Sequence, residues 1–179
     1  MSRIIIVDEN DTPIGLKERG DMKEGDIYRV SAIWITNSRG DILLAQRAAT
    51  KKHDPNKWAC AVAGTIEEGE EYLTNAVKEA EEEIGLVIEP HDLALGIKTL
   101  IQHSPWNFFC QWFWYRTNIT TEDLRLTTEE VAAVRWVSPE ELRAWVKERP
   151  QDFVGSTSQW IDEVLVAQSH YFLDQPRKD

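Results

Sequence analysis

The segment KEAEEEIG, residues 78–85, collects the side chains of this sequence that are best suited to bind a cation. It places four glutamates in eight positions beside one lysine, Lys78. Carboxylates are hard oxygen ligands that divalent cations such as Mg²⁺ prefer. Like charges three or four residues apart on a helix repel each other by about 0.2–0.5 kcal/mol per pair. The segment is therefore either a solvated helix face or a site at which a divalent cation binds.

Apolar residues around this segment recur at helical spacing and predict a helix over about residues 71–84. The recurring positions form one narrow stripe that faces the core: Leu73, Ala76, Val77, Ala80 and Ile84. On the same helix, Glu79, Glu82 and Glu83 lie on one shoulder of that stripe, whereas Glu81 lies on the opposite side. We therefore predict that three of the four carboxylates are within reach of one another beside a buried edge.

Residues 64–86 (GTIEEGEEYLTNAVKEAEEEIGL) resemble the Nudix box, whose pattern is Gly-x5-Glu-x7-Arg-Glu-apolar-x-Glu-Glu-x-Gly-apolar. Every specified position matches except one, because Lys78 stands where the box has arginine. The resemblance implies a Nudix fold, which is a three-layer α/β/α sandwich with a mixed β-sheet. It also implies a hydrolase that uses Mg²⁺, with Mn²⁺ as a substitute. The expected reaction is cleavage, by metal-activated water, of a diphosphate bond in a nucleoside di- or triphosphate or a nucleoside-diphosphate derivative.

The resemblance assigns roles to the matching positions. Glu79, Glu82 and Glu83 are expected to be metal ligands and catalytic carboxylates, and the carbonyl group of Gly64 is expected to be a further metal ligand. Glycine at position 64 is expected to let the backbone turn sharply and so bring this carbonyl group close to the metal.

Three other box residues are expected to be structural. Glu70 is expected to anchor the loop by pairing with Lys78, and Gly85 is expected to end the helix. Because lysine is a point donor and not a bidentate fork, we expect this pair to be looser than one formed by arginine. The remaining glutamates of the box are interpreted as solvated charges: Glu67, Glu68 and Glu71.

Candidates for the general base and for phosphate contacts lie outside the box. The base is either a box glutamate or a carboxylate from a later loop, and Glu130, which follows Glu129 just before a strand, is our candidate. Arg47 and Lys52 are candidate phosphate contacts, together with Lys51, although a solvated basic loop is an equal alternative.

Aromatic residues offer a further candidate contact with substrate. Trp58, and also Phe109, could reach a cleft, whereas Trp112 and Trp114 alternate in a strand and are interpreted as core. Two histidines show no partner pattern and are not expected to be metal ligands: His53 and His103.

Further segments resemble the Nudix branch related to isopentenyl-diphosphate isomerase: VDENDTPIGLKERGD, LLAQRA, and a tryptophan six residues before the box glycine. The type I isomerase has a cysteine directly before that glycine and a histidine directly after it, where this sequence has Ala63 and Thr65. Cys60 is not expected to substitute. Met22 and Arg29 stand where the isomerase has two upstream metal histidines, and Trp106 and Phe108 stand where it has glutamates before its last cysteine-bearing strand. We therefore expect a hydrolase, with a non-catalytic nucleotide-binding module or an isomerase as alternatives.

The elements that must position these residues alternate irregularly along the chain. Strands are predicted over residues 4–8, 14–18, 29–36, 41–47, 57–64, 93–103, 106–116 and 131–137. Ser138 is expected to cap a second helix that runs to about Arg149, and a last helix is expected to begin at Ser156. Such a mixture of strands and helices predicts a mixed sheet between two helical layers.

Composition limits the classes of partner. The chain of 179 residues is expected to form a single Nudix domain, and its net charge of −11 provides no basic surface for nucleic acid. No run of residues reaches the length of a membrane span. Two cysteines without a CxxC spacing, Cys60 and Cys110, fit a reducing, cytoplasmic location. The resemblance further implies a small-molecule diphosphate substrate and, as in many Nudix proteins, a homodimer.

Overall fold

The structure is a computed structural model that describes residues 3–173, so the two ends of the predicted domain, 1–2 and 174–179, lie outside the described residues. The described part contains these strands: β1 (Arg3–Val7), β2 (Pro13–Glu18), β3 (Ile27–Thr36), β4 (Ile42–Arg47), β5 (Trp58–Cys60), β6 (Val62–Thr65), β7 (Ala94–His103), β8 (Trp106–Arg116) and β9 (Val131–Val137). It also contains three α-helices: α1 (Tyr72–Ile84), α2 (Pro139–Glu148) and α3 (Thr157–Leu173). None of these helices is long and apolar enough to cross a membrane.

The strands form a mixed sheet around β3. Strand β8 runs parallel to β3 along its whole length, from the pair Ile27–Asn107 to the pair Thr36–Arg116. The other edge of β3 pairs antiparallel with β6 and, at its start, with β1. Strand β4 lies between β5 and β9, antiparallel to both. The predicted mixed sheet is therefore confirmed.

Strands β5 and β6 replace the one strand predicted over 57–64. The first pairs with β4 and the second with β3, with only Ala61 between them. The chain changes partner at this point because β3 and β4 diverge after their turn, where Thr36 and Ile42 are the paired residues. The box glycine follows immediately, so this change of partner places it beneath α1.

Two apolar cores cover the two faces of the sheet. Helix α1 packs on one face, where Ala76, Ala80 and Ile84 contact apolar residues of β3, β4 and β8. Helices α2 and α3 pack on the other face, where the core includes Trp34, Trp112, Trp114 and Trp160. The interpretation of Trp112 and Trp114 as core is confirmed, and so is the three-layer α/β/α sandwich.

Both ends of α1 are held by specific contacts. At the N-terminal end, the Glu71 side chain and Thr74 form a reciprocal capping box. At the C-terminal end, Gly85 adopts a left-handed conformation with φ of 66°, and its N–H donates to the Glu81 carbonyl group at 3.0 Å. The loop that follows β8 provides donors for two more carbonyl groups at this helix end. The N–H of Arg125 donates to the Ile84 carbonyl group, and the N–H of Thr127 donates to the Glu83 carbonyl group. The glutamates of the box are therefore presented on a fixed helix end.

The interpretation of two box glutamates as merely solvated is wrong. Glu71 is the N-cap of α1. Glu68 forms an ion pair with Arg3 of β1, with 2.6 Å between Nη2 and Oε2. The contact between Arg3 and Glu68 joins the first strand to the loop of the box, although the two residues are far apart in sequence.

Candidate active site

Gly64 and Glu79 occupy the same space between β6 and α1. Gly64 lies in regular pairing with Ser31 of β3 and does not have a positive φ. A Cβ atom at position 64 would lie 2.2 Å from Cγ of Glu79 and 2.5 Å from its Oε1. The expected sharp turn is therefore wrong as the reason for this glycine. Glycine is required because the Glu79 side chain lies across it, which brings the Gly64 backbone and the Glu79 carboxylate together.

Asn75 supports Glu79 from one helical turn earlier. Its Nδ2 donates to Oε1 of Glu79 at 3.3 Å. Burial raises the pKa of Glu79; the charge of Lys78 acts to lower it, and the charge of Glu82 acts to raise it. Sequence reasoning missed Asn75, although its position four residues before Glu79 on the same helix shoulder was the signal.

Glu83 is the most strongly perturbed carboxylate of the box. Its Oε2 accepts a hydrogen bond of 3.2 Å from the backbone N–H of Ala63, the residue before the box glycine. Burial, and then the negative charge of Glu79, raise the pKa of Glu83 to about 8. The charge of Glu130 acts in the same direction. This carboxyl group therefore holds its proton at neutral pH when no cation is bound.

Glu82 is exposed, and the three box carboxylates do not meet at one point. Within residues 3–173, no three carboxylate, histidine or cysteine side chains form a ready-made metal cluster. Glu79 turns toward Asn75, and Glu83 turns toward the N–H of Ala63. Like charges repel, so the side chains take separate donors. The convergence predicted for three glutamates is thus seen only for Glu79 and Glu83, which act on each other electrostatically.

The donor set fits Mg²⁺ all the same. Glu79 and Glu83 are partly buried carboxylates, and burial raises the pKa of both in spite of the opposing effects of Lys78 on Glu79 and of the Ala63 N–H on Glu83. Mg²⁺ typically keeps several waters and takes one or two carboxylates together with substrate phosphates. Such a cation would replace the proton that Glu83 otherwise retains. Glu82, exposed on the same helix, and the backbone carbonyl group of Gly64 are additional oxygen donors.

The loop before β9 brings Glu130 toward this pair. Lys51 forms an ion pair with the Glu130 carboxylate, and the N–H of Ala48 donates to the Glu130 carbonyl group at 2.9 Å. The negative charge of Glu130 acts to raise the pKa of Glu83, so the two carboxylates interact electrostatically. Glu129 is exposed instead. Of the two carboxylates considered from sequence, the structure brings Glu130 to the site.

Two of the other predicted residues have partners within the protein. Arg47 donates from Nε and Nη2 to the carbonyl oxygen of His53, at 3.1 and 3.0 Å, so its guanidinium group holds its own loop. The ring of His53 packs at 5.2 Å from that of Trp106. Trp58 lies at 5.5 Å from Trp145, on the side of the sheet covered by α2 and α3.

Lys52 and the Glu70–Lys78 pair complete the predicted set. Lys52 is exposed on the loop between β4 and β5. Lys78 donates to Oε1 of Glu70 at 2.9 Å, across the loop that precedes α1. Burial acts to raise the pKa of Glu70, but hydrogen bonds from Lys78 and from the Glu67 N–H hold it below its usual value. Glu70 therefore has an ion-pair partner and a lowered pKa, whereas burial raises the pKa of Glu79 and of Glu83.

Known proteins are similar to this chain in sequence. An uncharacterised Nudix hydrolase of Pseudomonas aeruginosa is 30% identical over 141 residues, which cover 75% of this chain and 77% of that protein. Isopentenyl-diphosphate Delta-isomerase 1 of Aromatoleum aromaticum is 31% identical over 169 residues, which cover 91% of this chain and 92% of that protein.

The fold has a similar counterpart among solved structures. A crystal structure of a Deinococcus radiodurans protein has a TM-score of 0.75 and 22% identity, and the match covers 90% of this chain and 98% of that one. The NUDIX domain family matches residues 27–156, which span most of the sheet, the box and the loop of Glu130. The resemblance predicted from the box is confirmed, and the chain belongs to the Nudix family.

Proposed function

We propose that this protein is a Mg²⁺-dependent hydrolase that cleaves a diphosphate bond in a nucleoside di- or triphosphate or a nucleoside-diphosphate derivative. The observation that carries the proposal is the pair Glu79–Glu83. Both carboxylates are partly buried, both have raised pKa values, and neither is paired with a cationic side chain as Glu70 is. Neighbouring carboxylates with raised pKa values are typical of a functional site.

The side chains of the site have different roles in the proposed reaction. Glu79, Glu82 and Glu83, with the Gly64 carbonyl group, would hold the cation. When bound, Mg²⁺ neutralises the charge of the diphosphate and lowers the pKa of a bound water. Glu130 is the candidate general base, and Lys51 orients its carboxylate through their ion pair.

The substrate side of the site is less closely defined by side chains. Lys52 is exposed on the loop that also carries Lys51, and a lysine there can reach phosphate groups as a mobile point charge. Trp58 is not retained as a substrate contact, because it packs against Trp145 on the face of the sheet opposite α1. Arg47 is not retained as a phosphate contact, because its guanidinium group already holds the carbonyl group of His53.

Isomerase chemistry is the alternative that the similarity to the Aromatoleum aromaticum protein raises. It needs a proton donor and acceptor on either side of an alkene, and position 63, before the box glycine, is alanine. Cys60 does not compensate: it is buried, and burial raises the pKa of its thiol to about 12. Arg29 is likewise engaged, since its Nε donates to Asp11 at 2.6 Å. These observations favour hydrolysis.

A screen of diphosphate compounds tests the proposal. Nucleoside di- and triphosphates and sugar nucleotides are incubated with Mg²⁺ or Mn²⁺, and release of phosphate or nucleoside monophosphate is measured. We expect turnover of at least one compound, lost in Glu82→Gln or Glu83→Gln. Isopentenyl diphosphate is included, and we expect no isomerisation. Nucleotide binding without turnover across the panel would instead support a non-catalytic binding module.

A further inference from the structure

Lys78 is the one departure from the Nudix box, and the structure shows what accompanies it. An arginine at this position could donate to both oxygens of Glu70 in a bidentate pair. Lysine has a single nitrogen, and Nζ of Lys78 donates to Oε1 of Glu70 at 2.9 Å. A second side chain of α1 must therefore donate to Oε2 if both oxygens of Glu70 are to be bound as an arginine could bind them.

Asn75 supplies that donor. Its Nδ2 lies 2.9 Å from Oε2 of Glu70, the same distance as the lysine contact to the other oxygen. The backbone N–H of Glu67 also donates to Oε2, at 3.0 Å. We refer to Glu70, Asn75 and Lys78 as the Glu70 brace. In the Glu70 brace, two side chains together hold both carboxylate oxygens.

The amide of Asn75 is fixed in one orientation. Asn75 and Ser31 of β3 are both fully buried, and the Ser31 hydroxyl group donates to Oδ1 of Asn75 at 2.6 Å. Nδ2 is thereby directed away from Ser31. Besides Glu70, it contacts the carbonyl oxygen of Thr65 and Oε1 of Glu79, each at 3.3 Å. One buried amide thus connects the structural carboxylate of the box with a carboxylate of the proposed metal site.

We propose that Asn75 and Lys78 together replace the arginine of the Nudix box, and that Asn75 is a positioning residue that sets the place of Glu79. The first part stands on the contacts of the metal-free protein. The second rests on the proposed function, because it concerns Glu79 as a ligand. The two parts predict different behaviour in Lys78→Arg, since the guanidinium group introduced there could hold both oxygens of Glu70 but would not replace the contact of Asn75 with Glu79.

Four variants separate the two parts: Asn75→Ala, Lys78→Arg, the double variant, and Glu81→Gln as an exposed control on the same helix. Thermal unfolding is measured in the metal-free protein. We expect Asn75→Ala to lower Tm by about 3–8 °C, because a partly buried carboxylate oxygen loses one of its two donors. Lys78→Arg and the control should stay within about 2 °C of wild type. The double variant should regain at least half of the loss.

An equal loss of Tm from Asn75→Ala in the lysine and arginine backgrounds would overturn the first part. If Asn75→Ala does not yield folded protein, folding of the double variant supports the proposal in a stronger form. Failure of both to fold overturns it.

Mn²⁺ binding, followed by calorimetric titration, tests the second part. We expect Asn75→Ala to weaken Mn²⁺ binding by about 10-fold, as is usual when a group supporting a ligand is removed, and Lys78→Arg not to restore it. Unchanged Mn²⁺ affinity in Asn75→Ala overturns the role in placing Glu79. Absence of Mn²⁺ binding by the wild-type protein would instead contradict the proposed function and leave the Tm comparison valid.

Discussion

Two carboxylate regions of the Nudix box differ in their hydrogen-bond donors and in the direction of their pKa shifts. In the Glu70 brace, three donors hold one carboxylate, and its pKa is lowered. At the pair Glu79–Glu83, two carboxylates share few donors, and burial raises the pKa of both. The regions are joined by one amide, that of Asn75. Charge that is compensated by the protein stabilises the fold, whereas uncompensated charge is available to a ligand.

A second partly buried carboxylate shows that the protein compensates such charges elsewhere in the fold. Asp11 accepts hydrogen bonds from Arg29 and Lys98, both at 2.6 Å, and from the Tyr72 hydroxyl group at 3.1 Å. Burial acts to raise the pKa of Asp11, but these donors hold it below its usual value. The same physical cause, burial, therefore ends in opposite results at Asp11 and at Glu83. At Asp11 two cationic side chains in direct contact outweigh burial, whereas at Glu83 the hydrogen bond from Ala63 and the charge of Lys51 do not.

The largest effect should come from Glu79→Gln. This change removes a ligand charge but keeps an acceptor for Asn75, so we expect turnover to fall at least about 100-fold. The metal-free protein should be as stable as wild type or more so, because a buried charge without a cationic partner is gone. Turnover with Mg²⁺ and thermal unfolding in chelator measure the two effects. If Glu79→Gln lowers both stability and turnover, Glu79 has a structural role like that of Glu70.

The matched change in the brace, Glu70→Gln, should have the opposite pattern: a clear loss of stability and a small loss of turnover. It removes the charge that Lys78 and Asn75 hold, and we expect the free energy of unfolding to fall by about 1–3 kcal/mol. Turnover measured well below Tm should fall less than about 10-fold, because Glu70 is not proposed to contact the cation. Chemical denaturation and turnover provide the comparison. A 100-fold loss of turnover without destabilisation would contradict the division between the two regions.

The pH dependence of stability sharpens the same comparison. The pKa of Glu83 is raised from its ordinary 4.5 to about 8, so the folded protein retains a proton that the unfolded chain loses in this range. Stability of the metal-free protein should therefore fall as pH rises from about 4.5 to about 8. Glu70 acts in the opposite direction, since its stabilisation is lost as pH falls below its usual pKa.

Glu83→Gln isolates the contribution of Glu83. We expect the variant to be more stable than wild type by at least about 1 kcal/mol at alkaline pH, and the difference to shrink as pH falls toward 4.5. Urea denaturation of both proteins across this range, in chelator, measures the difference. A gain that does not depend on pH would show that packing, and not ionisation, is responsible.

The helical spacing of the box was sufficient to predict much of this site. Periodicity alone separated Glu79, Glu82 and Glu83 from Glu81 and predicted the buried stripe, because both depend only on residues of one helix. The resemblance added the pairing of Glu70 with Lys78, which the structure contains. Local pattern therefore determined which side chains lie on the site's side of α1.

What the sequence did not predict depends on contacts between distant segments. The reason for Gly64 is the Glu79 side chain, which reaches it only after β6 has paired with β3. The orientation of Asn75 depends on Ser31, and Glu68 finds its partner in Arg3. Side-chain direction was also beyond the pattern, since Glu79 and Glu83 turn to separate donors instead of converging with Glu82. These side-chain orientations depend on tertiary contacts, which cannot be inferred from the spacing of residues in the sequence.

The smallest effect is expected at Glu81, which shares the helix and the charge of its neighbours but is exposed. Glu81→Gln should change the free energy of unfolding by no more than about 0.5 kcal/mol, as is usual for surface substitutions, and leave turnover nearly intact. Turnover of Glu79→Gln, Glu81→Gln, Glu82→Gln and Glu83→Gln measured side by side makes Glu81 the internal control. Because Glu81 has the same charge on the same helix but lies on its opposite side, equal losses at all four would mean that the overall negative charge, and not a placed set of carboxylates, supports the reaction.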